Sequence, residues 1–175
     1  MQSMTDDEAR EYCQKFAAPL RIADDDSIYF DVDEELSLLV QSPMGLRGIG
    51  FLADALASAS PNGGLLWLHL MYGAEPLVTA GFEIIDNMRR ANGENRPLRI
   101  APAQNFEANE QLQMQIALMQ VIGNGWNGYL IPADHSFLIS FRSSHRFFCY
   151  GPTKDRLVEL STLLEPWHPK EVAHA

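Results

Sequence analysis

Apolar and polar positions recur along this chain with two periods, and the changes between them mark out its elements. Near the start, Thr5-Asp6-Asp7-Glu8 reads as a capping box, with the Thr5 hydroxyl accepting from an early amide and Glu8 reaching back to the cap's own N–H. Ala9, Tyr12, Cys13 and Phe16 follow at helical spacing, and Pro19 limits the helix. After an acidic turn, Asp24-Asp25-Asp26, the pattern predicts a short strand at Ser27–Val32, and Leu36–Val40 is a second apolar run bounded by Ser42-Pro43. Gly45 to Gly50 is glycine-rich and feeds an amphipathic helix with Leu52, Ala55, Leu56 and Ala59 on one side. Ser60–Gly64 is a turn, and the nearly continuous apolar run Leu65–Tyr72 predicts a strand buried on both faces.

Pro76 suits the first turn of a helix whose stripe is Leu77, Val78, Phe82, Ile85 and Met88, with Gly93 as its C-terminal cap and Gly81 an unfavourable interior residue. Leu98–Ala101 is expected as a short strand. Phe106–Ile122 is expected as a long helix with Leu112, Ile116 and Met119 on its core line. Then Trp126–Pro132, Ser136–Arg142 and Arg146–Tyr150 form three short runs. In the second, Phe137, Ile139 and Phe141 alternate with Ser136, Ser140 and Arg142, which predicts an antiparallel meander with one apolar face. A last helix, from about Thr153 to Glu165, carries Leu157, Leu160 and Leu164 in line and stops at Pro166. The expected fold is mixed α+β, a single domain over residues 1–166. Its helices pack on a sheet that includes the meander at about 126–150, and 167–175 form a loosely held tail.

Composition narrows the function classes. The chain has 175 residues and a formal net charge of −10, which suits one domain with its own core. An acidic chain is poorly equipped to grip a nucleic-acid backbone, so no nucleic-acid partner is expected. The N-terminus is polar and acidic, unlike a signal peptide, and no apolar run approaches the ~20 residues of a spanning helix. The expectation is a soluble cytoplasmic protein without a membrane partner, in which Cys13 and Cys149 are free core thiols.

No catalytic residue, cofactor or metal is assigned from the sequence. His135 and His145 flank the middle strand of the meander, too far apart to meet at one ion, and His69 sits in a buried-looking strand. Asp134-His135-Ser136 holds the residue types of a triad, but adjacent residues cannot converge in a line. Asp24, Asp25, Asp26, Asp31, Asp33, Glu34 and Glu35 lack the spacing and central glycine of an EF-hand. A glycine-rich turn at a helix start exposes amides to an anion, and Arg47 adds charge. Over about ten residues Arg47-Gly48-Ile49-Gly50 resembles the pyrophosphate-binding loop of GNAT-type acyltransferases, departing from it where Gly45 replaces the usual Gln or Arg. That resemblance implies phosphate or acyl-CoA binding by Gly45, Arg47, Gly48 and Gly50 in a small transferase or ligand-binding enzyme.

Charge is unevenly distributed. Residues 1–40 hold 11 acids and three bases, a net of −8, whereas residues 41–175 carry only −2. An acidic edge of this kind steers a basic partner. The favoured reading is therefore a non-enzymatic interaction protein, of inhibitor or immunity type, that docks a basic protein through Asp24, Asp25, Asp26, Tyr29, Asp31, Asp33, Glu34 and Glu35. Short Trp-x-x-Tyr strands followed by Ser-His turns resemble those of bacterial immunity-type domains. A homodimer built on an edge strand of the meander is a third reading.

Overall fold

Among the described residues, five helices and a small hairpin cover the two faces of an eight-stranded, wholly antiparallel sheet in a single α+β domain. The structure, a computed structural model, describes residues 1–16, 20–22, 28–68, 80–142 and 145–172. In chain order the elements are β1 (Gln2–Met4), α1 (Asp6–Cys13), β2 (Leu20–Ile22), β3 (Ile28–Phe30), β4 (Ser37–Gln41), α2 (Leu46–Ser58), β5 (Gly63–Leu68) and α3 (Ala80–Ala91). There follow β6 (Ala103–Glu107), α4 (Gln111–Asn124), β7 (Gly128–Pro132), β8 (Leu138–Arg142), β9 (Arg146–Tyr150), α5 (Lys154–Leu164) and β10 (Lys170–Glu171). Strand order in the sheet is β1-β6-β5-β7-β8-β9-β4-β10, and β2 and β3 form a separate hairpin.

Alternation along each strand sends side chains into two cores. Leu66 and Leu68 of β5, Leu130 of β7, Ile139 and Phe141 of β8, and Phe147 and Cys149 of β9 meet Leu52, Leu56, Leu118, Leu160 and their neighbours beneath α2, α4 and α5. Leu65 and Trp67, Tyr129 and Ile131, Leu138 and Tyr150 face the other way, against Ala9, Cys13 and Phe16 of the first helical segment and Phe30 of the hairpin. Burying each large aliphatic side chain contributes roughly 1.5–3 kcal/mol. The capping box forms as expected, with Glu8 N–H on the Thr5 hydroxyl and Thr5 N–H on the Glu8 carboxylate. Trp67, fully buried in β5, donates its indole N–H to Asp6 at 2.8 Å and ties α1 to the sheet.

The meander and the last helix lie where the periodicity put them, and Thr153 caps α5 by accepting from Arg156 N–H. Other expectations are corrected. Leu98–Ala101 is a turn closed by Ile100 N–H on the Pro97 carbonyl, and the strand lies instead at Ala103–Glu107. The long helix accordingly begins at Gln111 and not at Phe106. β6 hides its alternation because its second residue, Gln104, fully buried, is a polar residue held by Ser3 Oγ and the Ala101 carbonyl. The buried line of α4 is Met114, Ala117, Leu118, Val121 and Ile122, whereas Leu112 is 67% exposed. Gly125 ends α4 in the left-handed conformation at φ 62°, where a Cβ is strained.

The meander has no open edge: β7 pairs with β5 and β9 pairs with β4, so an edge-strand dimer cannot form there. After Pro166 the chain does not simply trail off, because Trp167 packs on the larger core and Lys170–Glu171 pair with Leu39 and Leu38. Pro19, His69–Tyr72, Pro76–Val78 and Asp24–Asp26 lie outside the described residues, so the strand end, helix start and acidic turn expected there have no structural account.

Candidate functional site

The N-terminal acids gather over one face of the sheet. From α1 to the 3₁₀ turn at Glu34–Leu36, the described residues carry eight carboxylates and three bases, a net of −5. The four helices covering the opposite face, α2 to α5, carry five acids and five bases and are neutral. Several of the acids also have local work. Asp7 lies 3.7 Å from Arg10, Asp31 pairs with Arg21 at 3.4 Å, and Asp33 accepts from Glu35 N–H and caps the 3₁₀ turn. Asp31, Asp33, Glu34 and Glu35 are all exposed, and so is Tyr29, at 42%, beside Arg21 in the hairpin. Of the predicted docking residues, Asp24, Asp25 and Asp26 lie outside the described residues.

On this same face the sheet opens into a cleft of about 190 Å³. Its floor follows from strand register. Ser140 of β8 stands between Tyr129 of β7 and Phe148 of β9, and in the adjacent row Tyr150 stands between Leu138 and Ser37. A serine between two aromatic neighbours leaves a hollow that larger side chains elsewhere in the sheet fill. Phe30 and Val32 form one wall, and Glu34 and Arg142 bring charge to the cleft. Ser140 is 8% exposed, and its hydroxyl is buried without a well-formed hydrogen bond. Arg142, two residues along the same face, is exposed and makes no ion pair or hydrogen bond among the described residues. Burial raises the Tyr129 phenol above its usual range, opposed by the charge of Arg142 and the nearby Ser140 hydroxyl. Burial raises Tyr150 too, and Asp33 adds to the effect. Both phenols are therefore neutral donors at pH 7.

The glycine-rich segment is built differently from the loop expected of it. Leu46–Ser58 is helical, so Gly48 and Gly50 lie inside α2, and Ile49 N–H already bonds the Gly45 carbonyl. Only first-turn amides remain to meet an anion. Gly48 has a packing reason, since a Cβ there would stand 2.7 Å from Pro43 Cβ, whereas a Cβ on Gly50 would meet only Met119 of α4 at 4.0 Å. The Arg47 guanidinium lies over the Phe51 ring, 5.4 Å from its centre.

The remaining candidates do not converge. Asp134 accepts from Ser136 N–H in a local turn, and His135, at φ 56°, stacks on Tyr12 with ring centres 5.3 Å apart. His145, at the far end of β8, packs on Gly125. Among the described residues no three metal-ligating side chains cluster. Both cysteines are free and buried, and desolvation pushes the Cys13 thiol up to about 12 and raises Cys149 as well, the opposite of an activated nucleophile. No helix among the described residues is long and apolar enough to cross a membrane. The cleft itself was missed in the sequence. Ser140 and Arg142 stand out there only as the polar side of an alternating strand, and which aromatics flank them depends on pairing. In comparisons with protein-family models, curated proteins and solved structures, nothing matches this chain.

Proposed function

We propose that this chain is a non-enzymatic interaction protein, of inhibitor or immunity type, whose acidic layer docks a basic protein surface. The observation that carries this reading is the charge asymmetry across the sheet: a net of −5 in the described part of the layer over one face, against zero in the four helices over the other. A field of one sign on one face raises the encounter rate with a cationic partner and orients it before contact. Exposed Tyr29 supplies the kind of aromatic anchor that carries binding energy inside a charged rim.

The test separates placement of charge from its total. A fourfold reversal, Asp31→Lys, Asp33→Lys, Glu34→Lys and Glu35→Lys, is compared with one on the helical face, Asp54→Lys, Glu83→Lys, Asp155→Lys and Glu159→Lys. Both change net charge equally. Binding to a panel of purified basic proteins is followed by surface plasmon resonance at low and physiological salt. The first set is expected to slow association with the best binder by at least about tenfold and to flatten its salt dependence. The second is expected to leave most of the binding in place. Equal losses from the two sets would refute a defined docking face.

A further inference from the structure

The open cleft over β7, β8 and β9 carries an assignment that does not depend on the docking reading. Its central polar group, the Ser140 hydroxyl, is buried beside the Tyr129 phenol without a well-formed hydrogen bond, and its one cation, Arg142, has no carboxylate partner among the described residues. Both lie on the same face of one strand, two residues apart. Around them the walls are aromatic: Phe30, Tyr129, Phe148 and Tyr150. A concave apolar pocket with a few convergent polar groups is the usual form of a small-molecule site.

The chemistry of the ligand follows from these groups. A guanidinium beside a hydroxyl donor recognises a planar oxyanion, and Arg presents its donors in a fork that matches a carboxylate. Glu34 lines the same cleft and Asp33 acts on Tyr150, so the local field tolerates a single negative charge and repels phosphates and polyanions. The aromatic walls require a flat or branched apolar body. We infer that the cleft binds a small monocarboxylate with an aromatic or branched apolar body, its carboxylate held by Arg142 and Ser140.

The experiment is an NMR titration of the full chain with phenylacetate, with phenylacetamide, phenethylamine and inorganic phosphate in parallel. Phenylacetate, of about ten heavy atoms, is expected to bind with a Kd near about 1 mM and to shift the amides of Ser140, Arg142 and Tyr150 saturably. The amide, the amine and phosphate are each expected to bind at least about tenfold more weakly. Arg142→Gln, at an exposed position that does not threaten the fold, is expected to weaken phenylacetate about tenfold, and Arg142→Lys less. Ser140→Leu fills the hollow and should abolish the shifts while the spectrum stays dispersed. The inference is overturned by any of four results: no saturable shift with phenylacetate, equal binding of the amide or amine, equal binding of phosphate, or wild-type affinity in Arg142→Gln.

Discussion

Asp86→Asn is expected to destabilise this protein more than the loss of one surface ion pair would suggest, because it strips the counter-charge from a buried arginine. Arg89 of α3 is 1% exposed, whereas the Asp86 side chain beside it is 35% exposed. The guanidinium donates to Asp86 Oδ1 at 2.8 Å, to the Arg96 carbonyl at 2.9 Å and, weakly, to Ser3 Oγ of β1 at 3.3 Å. Ser3 in turn donates to Gln104 of β6 at 2.7 Å, so one cation ties α3 to the sheet edge. Breaking a buried pair from one side costs about 3–5 kcal/mol, and the partial wetting of Asp86 places this variant near 3 kcal/mol. Arg89→Met removes the charge while keeping the apolar stem. It loses two good charge-assisted bonds but also relieves a desolvated cation, a net cost of about 2 kcal/mol. Combined in one chain the two changes are expected to cost less than their sum by about 1–3 kcal/mol. Urea unfolding followed by circular dichroism measures this. With a slope of about 2–3 kcal/mol/M, the Asp86→Asn midpoint should fall by at least about 1 M. Hydrogen exchange should show β1 losing protection first. Strict additivity, or a midpoint shift under about 0.3 M, would refute the role given to Arg89.

Two glycines of α2 make a contrast of sign. Gly50→Ala meets nothing nearer than Met119 Cε at 4.0 Å and should stabilise by about 0.5–1 kcal/mol. Gly48→Ala drives a Cβ to 2.7 Å from the Pro43 ring, so overpacking should outweigh the helix gain and cost about 1 kcal/mol, read from the same urea midpoints. Stability should also fall in alkali. The Cys13 thiol is held up to about 12 in the folded chain and ionises near 9 when unfolded, so folding loses about 1.4 kcal/mol per pH unit between those values. Tyr12, raised to about 12, acts in the same direction from pH 10 upward. A urea midpoint that stays flat from pH 8 to about 11 would contradict this, and Cys13→Ala should lessen the slope.

The elements most legible in the sequence were those whose own alternation or caps define them. The run into and along β8 spells out its apolar face as Phe137, Ile139 and Phe141, all buried in the larger core, and Thr5 and Glu8 announce the start of α1. β6 was not legible, because the partners that make a buried Gln104 acceptable, Ser3 and Ala101, are distant or lie across a turn. Gly48 and Gly50 looked like a phosphate-binding turn because glycine signals freedom of the backbone, whereas both lie inside α2 and only at Gly48 does the missing Cβ serve close packing, against Pro43. The polarity of the molecule was readable as a charge count. That the acids share one face was not, since it requires α1 and the hairpin to fold onto the same side of the sheet. Ser140 gave no signal by itself; its setting between Tyr129 and Phe148 is a property of register.

The strand order also governs how the chain can be assembled during synthesis. β4 lies between β9 and β10, so both of its hydrogen-bonded neighbours are made roughly 105–135 residues after it. At about 5–20 residues per second a ribosome leaves that strand without either neighbour for roughly 5–25 s. β1 waits nearly as long for β6, its partner about 100 residues downstream. Half-made chains therefore carry β4 as an open template, with apolar Leu38 and Val40 uncovered. High contact order of this kind slows folding, and a nascent or truncated chain ending before Arg146 exposes this template to aggregation.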